Sequence, residues 1–149
     1  KCGMQYVSTD ELVEKREKTT ISEIFMNEGE PHFRKLEKDA VRFASGMNNV
    51  VIDAGGGAIL DPENVQNLKK GGIMVCLFAK PETILERTKN YKHRPLLNVE
   101  NPIGKIRELL AERKGSYEKA DFEIDTSSMK AASCVEEIER IMENAKEKN

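Results

Sequence analysis

The sequence predicts an α/β domain with a central parallel sheet and helices on both of its faces. Short apolar segments that suit strands alternate along the chain with longer segments of helical periodicity, an order typical of parallel sheets. Residues 73–78 are continuously apolar, as expected of a strand buried on both faces. The chain has 149 residues and no internal repeat or linker, so we expect one domain spanning residues 1–149.

The first half of the chain is predicted to form two strands and three helices. Residues 4–8 suit a strand and residues 9–18 a polar helix. Thr20-Ile21-Ser22-Glu23 fits a capping box, which predicts a second, short helix ending near Gly29. A longer helix is predicted over residues 31–45, followed by a strand at residues 50–52 that runs into three glycines. The apolar face of the longer helix is predicted to comprise Phe33, Leu36, Ala40 and Phe43.

The second half continues the alternation of helices and strands. Asp61-Pro62 has the residues preferred at a helix start, and Gly71-Gly72 is predicted to close that helix. A strand at residues 73–78 precedes a helix that begins at Pro81. Residues 91–101 lack periodicity and are predicted to form a loop. The remaining predicted elements are a helix at residues 102–120, a strand at 122–124 and a C-terminal amphipathic helix at 131–148.

Composition excludes several classes of function. Charged residues make up 34% of the chain but the net charge is -2, which argues against binding to nucleic acid or to an anionic membrane. No apolar run approaches the roughly 20 residues of a membrane helix, and residues 1–10 do not resemble a signal peptide. The three cysteines fit neither a disulfide framework nor a zinc site, so we expect a reducing, cytoplasmic setting.

Ligands of parallel sheets bind at the carboxyl ends of the strands, which directs attention to two segments. Asp10 follows the first strand, where a carboxylate could orient or deprotonate a hydroxyl; it could equally be a helix N-cap. Gly55-Gly56-Gly57 follows the second strand. Three glycines allow backbone N–H groups to approach an anion or a hydroxyl closely, although a flexible turn has the same composition.

Four arginines are further candidates. Arg34 lies near a helix start and could bind an anion, or could pair with Glu37 one turn later on an exposed face. Arg94 lies in the predicted loop, where it could close over a phosphate or remain solvated. Arg87 and Arg113 lie within predicted helices, where pairing with neighbouring glutamates is the structural alternative.

The order of these elements is more informative than any one of them, because together they strongly resemble the shikimate kinase family over residues 4–127. The resemblance depends on these motifs in this order: Ser8-Thr9-Asp10, Ile21-Ser22-Glu23-Ile24-Phe25, Gly29-Glu30-x-x-Phe33-Arg34-x-x-Glu37, Gly55-Gly56-Gly57, Glu86-Arg87-Thr88, Arg94-Pro95-Leu96-Leu97 and Arg113-x-x-x-Tyr117-x-x-x-Asp121.

The resemblance implies a three-layer P-loop kinase fold and the transfer of the ATP γ-phosphoryl group to the 3-hydroxyl of shikimate, with magnesium, in aromatic amino-acid biosynthesis. It implies that Asp10 contacts the reacting hydroxyl and acts as a general base. Arg34 and Arg113 would bind the shikimate carboxylate, and Gly56 would contact the substrate through its backbone. Both guanidinium groups are expected to face one cavity shared with Gly56 and Asp10.

For the nucleotide, the resemblance implies that Arg87 lies against the adenine and that the segment after Asp125 closes its pocket. Arg94 would be a catalytic lid arginine that reaches the ATP phosphates, within a mobile lid at residues 90–101. The implied partners are shikimate and ATP, without nucleic acid or membrane, and the implied state is a monomer.

Two departures from the family pattern qualify these expectations. Ser8 stands where the family usually has an aspartate that helps to hold magnesium, so no metal-binding residue is assigned. No G-x-x-x-x-G-K-[ST] pattern occurs in the chain. A segment of about 25 residues ahead of Lys1, which would form the first strand, its P-loop and the following helix, is therefore expected to be absent. The chain alone is expected to be inactive. The alternatives are a kinase-like binding module without catalysis and a kinase for another small hydroxylated metabolite.

Overall fold

A computed structural model of the chain describes residues 2–89 and 95–146, and in this part strands and helices alternate as the sequence predicts. The strands are β1 (Gln5–Ser8), β2 (Val50–Asp53), β3 (Val75–Phe78) and β4 (Phe122–Asp125). The helices are α1 (Thr9–Glu17), α2 (Ile21–Asn27), α3 (Glu30–Ser45), α4 (Pro62–Lys69), α5 (Pro81–Thr88), α6 (Pro102–Tyr117) and α7 (Ala131–Lys146), with short 3-10 helices at Ala58–Leu60 and Pro95–Leu97.

All strand pairing in the described ranges is parallel, which confirms the α/β class. The strands form two sheets of two strands, β1 with β2 and β3 with β4, where the sequence predicted one central sheet. Each described strand therefore has a hydrogen-bonded neighbour along one edge only. In the first sheet the register pairs Ser8 with Asp53, so both strands reach their carboxyl ends side by side. This register determines which loops meet beyond the strands.

The prediction that residues 73–78 are buried on both faces is wrong. The strand begins at Val75, and the side chains of Leu77 and Phe78 remain 52% and 40% exposed. In the described residues β3 pairs with β4 alone, and the faces of this two-stranded sheet are only partly covered.

The helices α1, α2 and α3 pack around a hydrophobic core made by Val13, Ile24, Phe33 and Ala40. The predicted capping box begins α2 as expected: the Thr20 side chain accepts from the Glu23 backbone N–H, and Glu23 accepts from the Thr20 backbone N–H. This core packs against α3, and α3 carries the site candidate Arg34.

The predicted apolar face of α3 is only partly correct. Phe43 is 63% exposed, whereas the buried residues of the helix are Phe33, Glu37, Ala40, Val41 and Ala44. The buried face is therefore rotated around the helix axis relative to the prediction. It includes a glutamate, which a search for apolar residues passes over.

Helix starts marked by proline are confirmed at Pro62, Pro81 and Pro102, and Asp61 caps α4 by accepting from the Glu63 backbone N–H at 2.8 Å. Helix α6 ends at Tyr117, three residues before the predicted end. In the predicted loop, Pro95–Leu97 forms a 3-10 turn, and residues 90–94 lie outside the described ranges. Over the described ranges, no helix has both the length and the apolar character needed to cross a membrane.

Candidate active site

The parallel register of β1 and β2 brings the start of α1 next to the glycine triplet. Thr9, whose side chain is fully buried, donates its hydroxyl to the Asp53 carbonyl at 3.3 Å, which fastens the first residue of α1 to the end of β2. Asp10 and Gly55 each lie two residues beyond the register pair of Ser8 and Asp53. A Cβ on Gly55 would lie 3.3 Å from Oδ1 of Asp10.

Asp10 is not the N-cap of α1. Ser8 is, because its hydroxyl accepts from the Glu11 backbone N–H at 3.2 Å. The structural alternative for Asp10 is therefore wrong, and its carboxylate lies beside Gly55 without serving as the cap.

Glu37 supplies a second carboxylate at the same place, and its side chain is only 2% exposed. A Cβ on Gly55 would lie 3.2 Å from Oε1 of Glu37. Its other oxygen accepts from Nη1 of Arg34 at 2.8 Å, and the Arg34 guanidinium also donates to Glu30 at 2.7 and 3.1 Å. The predicted pairing of Arg34 with Glu37 is thus correct, but it occurs at the glycine triplet and not on an exposed face.

Arg34 lies directly against Gly57. A Cβ at that position would be 2.6 Å from Nη2 and 2.7 Å from Cζ of Arg34, well inside contact distance. On its other side the guanidinium carbon lies 5.3 Å from the ring centroid of Phe33, within the range of a cation–π contact. Arg34 is therefore confined by ion pairs, a ring and a glycine backbone at once.

The electrostatics of this cluster depend on the burial of Glu37. Burial raises the pKa of the Glu37 carboxyl above its usual value, the Arg34 guanidinium opposes that rise, the nearby Asp10 carboxylate adds to it and Arg113 opposes it. For Arg34, burial tends to lower the pKa, but Glu37 and Glu30 outweigh it and the net pKa is raised. Arg34 consequently stays charged at any physiological pH.

Helix α6 approaches the triplet from another side. A Cβ on Gly56 would lie 3.8 Å from Nη1 of Arg113 and 3.4 Å from Oη of Tyr117, and the Tyr117 hydroxyl donates to the Gly56 carbonyl at 3.1 Å. Within residues 2–89 and 95–146, Arg113 forms no ion pair with a carboxylate. Its charge is therefore available to an anion that enters beside Gly56.

A cleft of about 620 Å³ adjoins the cluster and is lined by residues that include Arg34, Glu37, Gly57 and Asn64. The expectation that both guanidinium groups share one cavity with Gly56 and Asp10 is met only for Arg34. Asp10 and Arg113 lie against the same glycine triplet, which contains Gly56, but these three residues do not line this cleft.

The residues predicted to bind nucleotide are described only in part. Nη1 of Arg87 donates to the Thr126 hydroxyl at 2.9 Å, and Nη2 of Arg87 donates to the Thr126 carbonyl at 2.6 Å. It therefore contacts the segment after Asp125 that is expected to close the nucleotide pocket. Arg94 lies outside the described residues, as do residues 90–93 of the predicted lid at residues 90–101, and the lid remains a prediction.

The described residues do not by themselves form a metal site. Within them, no group of three or more histidine, cysteine, aspartate or glutamate side chains could hold a metal ion. Ser8, at the position where the family resemblance expects an aspartate, uses its hydroxyl as the cap of α1. A magnesium ion held by protein ligands alone does not fit this arrangement.

Two residues of the cluster were missed as candidates. The sequence predicts Glu37 as a surface partner of Arg34, yet the spacing of Glu37 from Phe33, Ala40 and Val41 matches the buried face of a helix and is the signal that locates it. Tyr117 follows Arg113 by four residues, which places both on one face of α6. Its hydrogen bond to a distant backbone carbonyl has no signal in the sequence.

With the geometry established, comparison with known proteins gives a consistent result. The family model for shikimate kinase matches residues 1–143. The shikimate kinase of Thermoanaerobacter pseudethanolicus is 45% identical over 89% of this chain and 78% of its own length. That of Caldanaerobacter subterraneus subsp. tengcongensis is 47% identical over 91% of this chain and 79% of its own length. These comparisons do not bear out the expectation that the chain is inactive.

Solved structures agree with the sequence relatives. A shikimate kinase from Acinetobacter baumannii in complex with shikimate superposes with a TM-score of 0.92 at 36% identity, covering 97% of this chain and 81% of that one. A shikimate kinase from Aquifex aeolicus superposes with a TM-score of 0.80 at 35% identity, covering 95% and 83%. The expected kinase fold is confirmed by these neighbours.

Proposed function

Because the chain belongs to the shikimate kinase family, we propose that it transfers the γ-phosphoryl group of ATP to the 3-hydroxyl of shikimate. The observation that carries the proposal for these particular residues is the convergence of two arginines and an aspartate on one glycine triplet. A carboxylated, hydroxylated ring requires cations for its carboxylate and an acceptor for its hydroxyl, and the cluster offers both.

Arg113 and Arg34 would bind the substrate carboxylate. A guanidinium presents two parallel N–H donors that match the two oxygens of a carboxylate. Arg113 has no ion pair within the described ranges, and Arg34 has an extensive set of contacts that fix its position. Gly56 would add a backbone contact, since no side chain keeps a ligand from its peptide groups.

Asp10 would contact the reacting hydroxyl and accept its proton as phosphoryl transfer proceeds. Its position follows from the register of β1 and β2 and from the buried bond of Thr9, so the carboxylate is held by rigid elements. Phosphoryl transfer depends mostly on positioning and on neutralising charge. A carboxylate near the hydroxyl and arginines near the carboxylate would fix the ring in one orientation.

The proposed binding of ATP, the phosphoryl donor, is based on the family resemblance and not on the residues around the glycine triplet. Arg87 would lie against the adenine, and Arg94 would reach the phosphates. Magnesium usually arrives with the phosphates of the nucleotide and a small number of carboxylates, so an all-protein metal site is not required.

The proposal is tested by calorimetry and by turnover. Shikimate should bind the chain with a measurable Kd, and its methyl ester, which lacks the carboxylate charge, should bind at least about 30-fold more weakly. With ATP and shikimate, ³¹P NMR should detect a phosphate monoester of shikimate together with ADP. Shikimate binding without turnover would favour a binding module, and equal affinity for the ester would contradict the role of the arginines.

A further inference from the structure

The glycine triplet has no side chains to hold its peptide planes, so their orientation must come from elsewhere. Within the segment, the Ala58 backbone N–H donates to the Gly55 carbonyl at 2.9 Å and closes a turn. Just after the triplet, Asn64, which is 1% exposed, donates through Nδ2 to the Ala58 carbonyl at 3.0 Å. These bonds fix the two ends of the turn, but neither fixes the peptide that joins Gly56 to Gly57.

That middle peptide is fixed by Tyr117. Its hydroxyl donates to the Gly56 carbonyl at 3.1 Å, from a side chain on α6 that is already half-buried. All described peptide bonds are trans, so the carbonyl of Gly56 and the N–H of Gly57 point in opposite directions in one plane. Holding the carbonyl towards α6 therefore directs the Gly57 N–H away from α6.

Tyr117 also links this peptide to the substrate arginine of α6. Arg113 precedes it by four residues on the same helix face, and Nη1 of Arg113 would lie 3.8 Å from a Cβ on Gly56. The single proton of the Tyr117 hydroxyl is used by the Gly56 carbonyl, so the hydroxyl has no donor left for a ligand.

We propose that Tyr117 is a positioning residue of the shikimate site: its hydroxyl sets the orientation of the Gly56–Gly57 peptide and keeps the glycine triplet in place beside Arg113. It acts through the backbone and through Arg113 and does not touch the substrate. The inference goes one step beyond the proposed function and depends on it for the identity of the ligand.

The test compares Tyr117→Phe with Tyr6→Phe. Each variant removes one hydroxyl that makes one hydrogen bond, and the Tyr6 hydroxyl donates to Oδ2 of Asp53 at 2.8 Å on an exposed surface. We expect Tyr117→Phe to weaken shikimate binding by about 3- to 10-fold, the loss of one neutral hydrogen bond, with a melting temperature close to that of Tyr6→Phe. Tyr6→Phe should bind shikimate like the parent chain.

A second measurement does not depend on the ligand. If the hydroxyl orients the peptide, the ¹⁵N order parameters of Gly56 and Gly57 in the free protein should fall below the rigid value of about 0.85 in Tyr117→Phe. In Tyr6→Phe they should remain at the rigid value. Unchanged order parameters would overturn the inference, and so would a loss of affinity that is only proportional to a loss of stability. If the parent chain does not bind shikimate, the proposed function fails, and the order parameters alone decide whether Tyr117 orients the triplet.

Discussion

Gly57→Ala is expected to displace the guanidinium of Arg34 and to weaken shikimate binding. The new Cβ would lie 2.6 Å from Nη2 and 2.7 Å from Cζ, whereas ordinary contact begins at 3.4 Å. The guanidinium would therefore have to move by about 1 Å. Arg34 cannot do so freely, because its Nη1 bond to the buried Glu37 is 2.8 Å long and a shift of that size breaks or misaligns it.

The size of the effect follows from what Arg34 holds. The pair with Glu30 is partly exposed and contributes less than about 1 kcal/mol. The pair with Glu37, whose side chain is 2% exposed, matters more, because a buried carboxylate loses its partner. We expect a stability loss of about 1 to 3 kcal/mol and a shikimate Kd about 30-fold higher, equivalent to about 2 kcal/mol.

Calorimetry with shikimate and urea unfolding measure the two effects. Gly71→Ala is the matched control, since its Cβ would meet nothing within 4 Å, and it should change neither quantity by more than about 0.5 kcal/mol. In an Arg34→Ala background the clash no longer exists, so adding Gly57→Ala should cost almost nothing further. A Gly57→Ala variant with the parent affinity and stability would refute the confinement of Arg34.

Three further predictions concern neighbouring residues. Arg113→Ala should cost about 2 to 5 kcal/mol of shikimate binding without shifting the urea midpoint, whereas Arg34→Ala should lower both because a buried carboxylate loses its partner; equal stability losses would contradict this. Asp10→Asn should preserve the fold and lower turnover about 100-fold or more, and unchanged turnover in the ATP assay would remove Asp10 from the chemistry. The backbone N–H of Thr20, with the threonine hydroxyls beside it, lowers the pKa of Glu23 from 4.5 to about 2, so its stabilising effect is present above pH 4.5 and is lost as pH falls towards 2. Glu23→Gln should lack this loss in urea unfolding across that range, and an identical acid sensitivity would count against the capping box.

Much of the local structure was predictable because it depends on neighbours in the sequence. The capping box at Thr20 and the proline at Pro62 act within one helical turn, and both elements begin where these residues indicate. Burial was less predictable, because it depends on what packs against an element. Phe43 is exposed despite its helical spacing, and Leu77 is exposed despite its apolar neighbours.

The candidate site shows the same division. Motif order identifies Asp10, Arg34 and Gly56, and in the structure Asp10 and Arg34 both lie against the glycine triplet that contains Gly56. The capping role that the sequence allows for Asp10 belongs to Ser8, two residues earlier. The sequence cannot distinguish the two, because serine and aspartate both cap helices well and the choice depends on the backbone angles. Distances across the fold, such as the bond from Tyr117 to Gly56, arise from tertiary packing and leave no local pattern.

The two arginines of the site are not equivalent, although the family resemblance gives them one role. Arg34 already forms ion pairs with Glu37 and Glu30. These two carboxylates largely compensate its positive charge, so it attracts a substrate carboxylate only weakly. Arg113 has no such partner in the described ranges and faces the glycine triplet from α6. The attraction for an incoming anion should therefore come mainly from Arg113, while Arg34 fixes the geometry. The buried Glu37 makes this division necessary, because without Arg34 its carboxylate would lose its hydrogen-bonded partner and would repel the same anion.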